Sequence, residues 1–170
     1  AKWTCDEGYT GDSCVAQCNA ITVDNTTRGG STANTTLYKY TDDTKWYSSK
    51  TNATTCATEV TTTPAPSKTH ATFNGYSTAS DNMTTVVGSA ASPSVLSTTW
   101  TVTGPATIYA HYNCNANYDQ GGTDIAGACN ANTYTIRFRG KDKTLDTQTC
   151  TYAQSVTLNA ASGMTNIPVS

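Results

Sequence analysis

The stretch NTYTIRFRG, residues 132–140, alternates apolar and polar side chains with a period of two. An extended backbone places Tyr134, Ile136 and Phe138 on one side and the threonine and arginines between them on the other. This pattern predicts a strand with one buried face, and it favours an all-β fold.

Shorter alternating runs, separated by turn residues, follow one another from Asn19 onward. Apolar spacing of three and four residues never persists long enough to predict a helix. Threonine, at about a fifth of the chain, suits half-solvated strands because it is β-branched. The predicted strands centre on Ile21 and Val23, Leu37 to Tyr40, Thr58 to Thr62, Thr69 to Phe73, Thr84 to Val87, Thr99 to Thr103, Ile108 to Tyr112, and Val156 with Leu158.

About eight to ten strands with one apolar face each predict an antiparallel β-sandwich or jelly roll. The length of 170 residues fits one such domain. Three of the seven cysteines fall in the first eighteen residues, so we expect a Cys-rich N-terminal arm over 1–18 and the β-sandwich over 19–170. We take Ala1 as a mature or truncated start because no signal peptide is visible.

Composition excludes several partners. The formal net charge is −2 and only 13% of residues are charged, so no basic stripe is present that would bind nucleic acid. No apolar run approaches the roughly 18 residues of a membrane span. Leu, Ile, Val and Phe together make up only about an eighth of the chain, although ten Tyr and three Trp add apolar bulk. We therefore expect a modest core that is reinforced by disulfides.

The cysteines and the glycosylation sequons together predict an extracellular, secreted or cell-surface protein. Seven cysteines in a secreted chain indicate a disulfide framework. Four Asn-x-Thr sequons add to this prediction, although a chain rich in Asn and Thr produces some by composition alone. The candidate N-glycosylation residues are Asn25, Asn34, Asn52 and Asn82.

The segment CDEGYTGDSC, residues 5–14, resembles the C-terminal half of an EGF-like module, which ends C-x-x-G-Y/F-x-G-x-x-C. Five residues match that pattern: Cys5, Gly8, Tyr9, Gly11 and Cys14. The resemblance implies a tight hairpin closed by a Cys5–Cys14 bridge, in which the glycines supply positive φ angles. It covers ten residues and lacks the upstream cysteines of a full module, so it implies neither calcium binding nor receptor agonism. Alternatively, both cysteines pair elsewhere in an irregular cap.

The other five cysteines leave many connectivities open, and an odd total leaves at least one cysteine free or paired between chains. We favour a Cys114–Cys129 bridge across a polar loop between two strands and a Cys56–Cys150 bridge across the core. Cys18 would then form an intermolecular bond or remain a free thiol.

The sequence offers little catalytic equipment, and we expect no enzyme. Only two His and two Glu are present, and no Gly-x-Ser-x-Gly, His-Glu-x-x-His or phosphate-binding glycine motif occurs. We expect His70 and His111 to be surface residues of strands.

One constellation resembles a metal site. Alternating oxygen side chains precede a glycine and could bind Ca²⁺, and they are Asn115, Asn117, Asp119 and, nearby, Asp124. The glycine is one place late for an EF-hand loop and no bidentate Glu follows, so a polar hairpin loop without a cofactor is the favoured interpretation.

Low charge, Thr-rich strands and an odd cysteine favour a structural subunit of an extracellular glycosylated filament or surface layer. Its partner would be a second copy, with Ala1–Cys18 or 162–170 lying along a neighbour's open sheet edge to form a homopolymer. The alternative is a monomeric secreted adhesin or carbohydrate-binding module, because aromatic faces stack on sugar rings. The candidate sugar-binding residues are Tyr38, Tyr40, Trp46 and Tyr47.

Overall fold

The structure, a computed structural model, describes residues 3–139 and 144–157. Those residues form thirteen strands and a single 3-10 turn, Asp119–Gly121. No helix among them is long enough or apolar enough to cross a membrane. The strands are β1 (Tyr9–Thr10), β2 (Val15–Ala16), β3 (Cys18–Asp24), β4 (Thr35–Tyr40), β5 (Trp46–Asn52), β6 (Thr55–Val60), β7 (Thr62–Thr63), β8 (Ala71–Ser77), β9 (Val86–Gly88), β10 (Ser94–Val95), β11 (Ala106–Cys114), β12 (Thr133–Arg139) and β13 (Thr144–Thr151).

The predicted all-β class is confirmed. Seven strands form one sheet in the order β6-β5-β4-β3-β11-β8-β9. Every pair in it is antiparallel except β3 and β11, which run parallel with Ala106 opposite Ile21. The sequence predicted a purely antiparallel fold, and the parallel pairing of β3 with β11 departs from that prediction.

The sheet curls until its two ends are joined through short strands. At one end, the Ser97 N–H donates to the Val87 carbonyl of β9. At the other end, β7 continues the path of β6 and pairs with β10, and the Leu96 N–H donates to the Thr61 carbonyl. Closing a sheet in this way protects strand edges that would otherwise be open to other chains.

Apolar side chains from the inner faces of these strands meet in one core. Ile21, Val23 and Ile108 have no exposed surface, and the spacing of two between Ile21 and Val23 along β3 reflects strand geometry. The core contains few aliphatic side chains, and large aromatic rings fill the remaining space. The ring centroid of Phe73 lies 5.0 Å from that of Tyr76 and 6.2 Å from that of Tyr112. Trp100 and Val102 also contact this core, but residues 99–103 form no strand, which corrects the strand predicted there.

The strand predictions also failed elsewhere in the described chain. β5 and β13 were missed because neither shows a clean alternation of apolar and polar residues. His70 was expected in a strand, but it lies in a turn with φ of 58° and its ring stacks on Tyr118 at 3.9 Å. Val156 also lies outside any strand, and Leu158 lies outside the described residues.

The N-terminal arm folds onto its own domain. β1 and β2 form a hairpin, and the Gly8 carbonyl accepts hydrogen bonds from the Gln17 N–H at 2.8 Å and the Thr41 hydroxyl at 2.6 Å. Gly8 has φ of 82°, and a Cβ there would lie 2.3 Å from the Thr103 carbonyl oxygen. Cys18, the last residue of the predicted arm, is the first residue of β3.

Three disulfides tie the strands together, and two of them form as predicted: Cys5–Cys14 and Cys114–Cys129. The third joins Cys18 to Cys56, so the predicted Cys56–Cys150 bridge and the free or intermolecular role of Cys18 are wrong. The free thiol belongs instead to Cys150 on β13. Three disulfides indicate that the chain folds in an oxidising environment.

Lys39 is a buried cation on the inner side of β4. Its ammonium group donates to the Lys45 carbonyl at 3.0 Å and lies 4.5 Å from the centre of the Trp46 ring. The lysine has no exposed surface. Burial lowers its pKa from 10.5 to about 8, and the nearby Asp43 charge opposes that change.

The pKa of Lys39 makes the stability rise with pH above neutrality. Between pH 8 and 10.5 the unfolded chain binds this proton and the folded chain does not, so the free energy of unfolding increases, by at most about 3 kcal/mol. Burial also raises the pKa of Tyr76 and, to about 12, that of Tyr112. Folded tyrosines therefore keep protons that the unfolded chain releases, which lowers stability above about pH 10.

We expect urea denaturation to show maximal stability near pH 10, with Cys150→Ser used throughout to prevent thiol exchange. Lys39→Met is the control, and it should remove most of the rise above pH 8. Part of the rise should remain in that variant, because burial and the neighbouring Arg28 also lower the pKa of Lys68. A parent protein whose stability is constant from pH 8 to 10 would contradict the assignment.

Candidate functional site

The four aromatic residues predicted to bind sugar lie on opposite faces of the sheet. Trp46 is 2% exposed, donates its indole N–H to the Ser97 carbonyl at 2.7 Å and stacks on Trp100. Trp46 therefore belongs to the core, and the prediction that it lies on a sugar-binding surface is wrong. Tyr47, the next residue, points to the outer face.

Tyr38, Tyr40 and Tyr47 form the outer tyrosine patch. Tyr38 pairs with Tyr47 across β4 and β5, and the Tyr40 and Tyr47 rings meet edge to face at 5.4 Å. The Lys50 ammonium lies 5.5 Å from the Tyr38 ring centre. All three tyrosines are half-buried, so part of each ring is accessible at one place, while the Tyr40 hydroxyl bonds to the Cys56 backbone.

The residues predicted to bind Ca²⁺ are each engaged by a different protein group. The Asn115 side-chain oxygen accepts from the Thr72 hydroxyl, and that of Asn117 accepts from the Tyr134 hydroxyl. Asp119 accepts from the Asn130 N–H at 2.7 Å. Each of these oxygens therefore accepts a hydrogen bond from the protein in this structure.

Asp124, the fourth predicted metal ligand, contacts the side chains of Arg28 and His111. Its Oδ1 atom lies 2.8 Å from Arg28 Nη2 and 2.5 Å from His111 Nδ1. A second group near this loop consists of Cys114, Asp119 and Cys129. The sulfurs of that group are joined in a disulfide, so they offer no thiolate to a metal.

His111 is buried, which corrects its predicted place on the surface. Its Nε2 atom lies 3.0 Å from both the Ser77 hydroxyl and the Ala79 carbonyl. A Ser–His–Asp sequence of contacts thus runs from Ser77 to Asp124. Ser77 and His111 both have no exposed surface, so the hydroxyl is sealed from solvent.

The hydrogen bonds of His111 differ from those of a nucleophile-activating triad. In such a triad, Nε2 accepts the serine proton. Here the Ala79 carbonyl, which can only accept, faces Nε2, and the carboxylate of Asp124 faces Nδ1. The Nε2 atom therefore faces a second acceptor as well as the Ser77 hydroxyl, and the buried ring is part of a structural hydrogen-bond network.

Arg28 and Lys68 complete this network, and sequence reasoning missed both. The Arg28 side chain donates to the Ser80 carbonyl, to the Asp124 carbonyl and to the Asp124 carboxylate. The Lys68 ammonium donates to the Arg28 carbonyl at 3.0 Å and the Ile125 carbonyl at 2.6 Å. Arg28 and Asp124 are 96 positions apart, so no local spacing signals their contact.

The four sequons differ in access. Asn25 is 3% exposed, its amide donates to the Ala33 carbonyl, and its oxygen accepts from the Tyr76 hydroxyl. A glycan on that nitrogen would require the local structure to open. The prediction that Asn25 is a glycan site therefore does not fit the folded chain. Asn34 and Asn52 are exposed, and Asn82 is half-buried.

A groove lies between β4 and the β6–β7 segment. Its volume is about 390 Å³, within the range of about 300–1,000 Å³ that is usual for ligand sites. Leu37 and Val60 supply apolar surface, and exposed hydroxyl side chains surround them. The residues that define this seam groove are Ala33, Leu37, Ser48, Val60, Thr62 and Pro64.

The β12–β13 hairpin forms a separate two-stranded sheet. Ile136 and Phe138 on β12 are half-buried and Thr135 and Arg137 are exposed, as the alternating sequence predicts. Tyr134, which was expected on the buried face, is 42% exposed. Cys150 lies opposite Tyr134 in the ladder, so the free thiol and the apolar side chains share one face of the hairpin.

No protein-family model, no curated protein and no solved structure gives a significant match to this chain.

Proposed function

We propose that this chain is a structural subunit of an extracellular, glycosylated filament or surface layer, and that its partner is a second copy of itself. The observation that carries this proposal is the free, half-buried Cys150 thiol on the apolar face of the β12–β13 hairpin. A thiol in an oxidising compartment readily pairs with another thiol. Because the other six cysteines are already paired, a second molecule is the source of its partner.

Glycosylation in this proposal uses the accessible sequons. Asn34 and Asn52 present exposed side chains on the connection that leads into β4 and at the β5–β6 turn. N-glycans at these positions would cover polar surface without disturbing the core. Asn82 is half-buried and is a weaker acceptor.

The two terminal segments differ in whether they are available to bind a neighbouring copy. The N-terminal arm is held by its own hairpin and by Thr41, so it is poorly suited to lie along a neighbour. The other predicted segment, 162–170, lies outside the described residues and remains the candidate. It contains Met164, Ile167 and Val169, which can fill apolar pockets.

Non-reducing electrophoresis of the native material tests this function. We expect a species of twice 17.9 kDa that collapses to the monomer on reduction, because one free thiol per chain joins two chains, and we expect Cys150→Ser to abolish it. Negative-stain microscopy should show regular polymers. Monomers alone, with or without reductant, would count against the proposal.

The outer tyrosine patch favours a second candidate function, a monomeric adhesin or carbohydrate-binding module. Three rings on one face, with the Lys50 ammonium beside them, provide stacking and polar contacts for a sugar. A compact monomer whose glycan-array binding is lost in Tyr38→Ala would support this alternative and displace the filament proposal.

A further inference from the structure

The curled sheet has one interrupted ladder, between β4 and β5. β3 and β4 pair through six residues and β5 and β6 through five, but β4 and β5 share only the Tyr38–Tyr47 pair. Residues 35–37 of β4 and 48–52 of β5 therefore have no ladder partner across this seam within the described chain. Unpaired strand edges are the sites at which another strand can add.

The interruption has a covalent cause. The β5–β6 hairpin leaves β4 after Tyr47 and is fastened to the start of β3, where the Cys18–Cys56 disulfide brings the two Cα atoms to 5.4 Å. The Cys18 N–H donates to the Ala53 carbonyl at 2.7 Å, and the Tyr40 hydroxyl accepts from the Cys56 N–H at 2.9 Å. These contacts hold the hairpin away from residues 35–37, so the seam stays open without a partner.

The seam groove lies at this interruption. Leu37 and Val60 supply its apolar surface, and the exposed Thr36 and Ser48 lie at its sides. The groove thus combines an unpaired backbone edge with a pocket for side chains. Binding of an extended peptide uses both features, since main-chain hydrogen bonds give affinity and pockets for alternate side chains give specificity.

We propose that residues 162–170 of a second copy bind in the seam groove as an added strand along β4. This inference rests on the proposed function, and it names the surface that receives the neighbour. Thirteen residues follow Thr157, the last described residue, and when extended they reach up to roughly 40 Å. Ile167 and Val169, two residues apart, would place aliphatic side chains on one face of the added strand, against the apolar surface of Leu37 and Val60.

The binding test compares two neighbouring positions in the full chain. Ser48→Trp fills the groove, whereas Ser49→Trp adds the same ring at an exposed position of β5 that does not line it. The probe is a fluorescent peptide with the sequence of residues 158–170. We expect saturable binding to the parent and to Ser49→Trp, at least tenfold weaker binding to Ser48→Trp, and no binding of a scrambled peptide.

The assembly test uses the same variants. We expect polymers of the parent and of Ser49→Trp in negative stain, a tenfold loss of polymer in Ser48→Trp at an unchanged melting temperature, and capping of parent polymers by excess peptide. Polymers that persist in Ser48→Trp and resist the peptide would overturn the groove assignment and leave the filament function standing. A parent protein that stays monomeric under all conditions would overturn both.

Discussion

Asp124→Asn is expected to lower the free energy of unfolding by about 3–5 kcal/mol, because it leaves buried Arg28 without a charge partner. The Arg28 side chain is 5% exposed, and Asp124 Oδ1 lies 2.8 Å from its guanidinium. The same oxygen faces His111 at 2.5 Å. The Asn amide keeps an oxygen that can accept these bonds, but it removes the negative charge that compensates the buried guanidinium.

Urea denaturation at pH 7 with the disulfides intact measures this effect. Asp12→Asn is the matched control, since Asp12 is exposed and surface substitutions change stability by only about 0.5 kcal/mol. If Asp124→Asn lowers the free energy of unfolding by less than about 1 kcal/mol, the Arg28–Asp124–His111 contacts do not hold the 119–125 loop against the sheet.

Trp46→Ala is expected to destabilise the chain by about 3–5 kcal/mol, because it removes a large ring from the core. Trp46 is 2% exposed, packs against Trp100 at 5.2 Å and lies beneath the Lys39 ammonium. The substitution also leaves the Ser97 carbonyl without its indole donor. The ammonium of Lys39 loses its aromatic neighbour at the same time.

Tyr47→Ala is the control for this prediction, because the adjacent ring lies on the outer face and is half-buried. Its loss should cost clearly less, about 1 kcal/mol. Thermal unfolding of both variants and the parent gives the comparison. Equal losses at the two positions would mean that the assignment of residues 46 and 47 to opposite faces of the sheet is wrong.

The cysteine predictions show that the sequence indicates disulfides within one loop but not those between distant segments. The Cys5–Cys14 and Cys114–Cys129 bridges are 9 and 15 positions apart and close single loops, so local turn chemistry points to them. Cys18–Cys56 depends on the β5–β6 hairpin folding across to β3. Nothing in the residues around Cys18 or Cys56 encodes that long-range approach.

The candidate sites follow the same division. The sequence places Tyr38 and Tyr40 on one face, since they are two residues apart on a strand. It could not separate Trp46 from Tyr47, because the residues after them, SSKTN, are uniformly polar and give no alternation. The seam groove could not be predicted from the sequence for a further reason. It forms where two strands do not pair, and neither strand has a sequence feature that indicates this.

The alternation of residues such as those at 132–140 determined by itself that the chain is built from strands, because a period of two is a property of the extended backbone. The cysteine count determined that one thiol is left over. Only the tertiary structure decided which thiol it is, which polar groups are buried together and where the ladder opens. Those outcomes depend on contacts between segments far apart in sequence, such as Arg28 with Asp124, and such contacts exist only once the sheet has curled around its core.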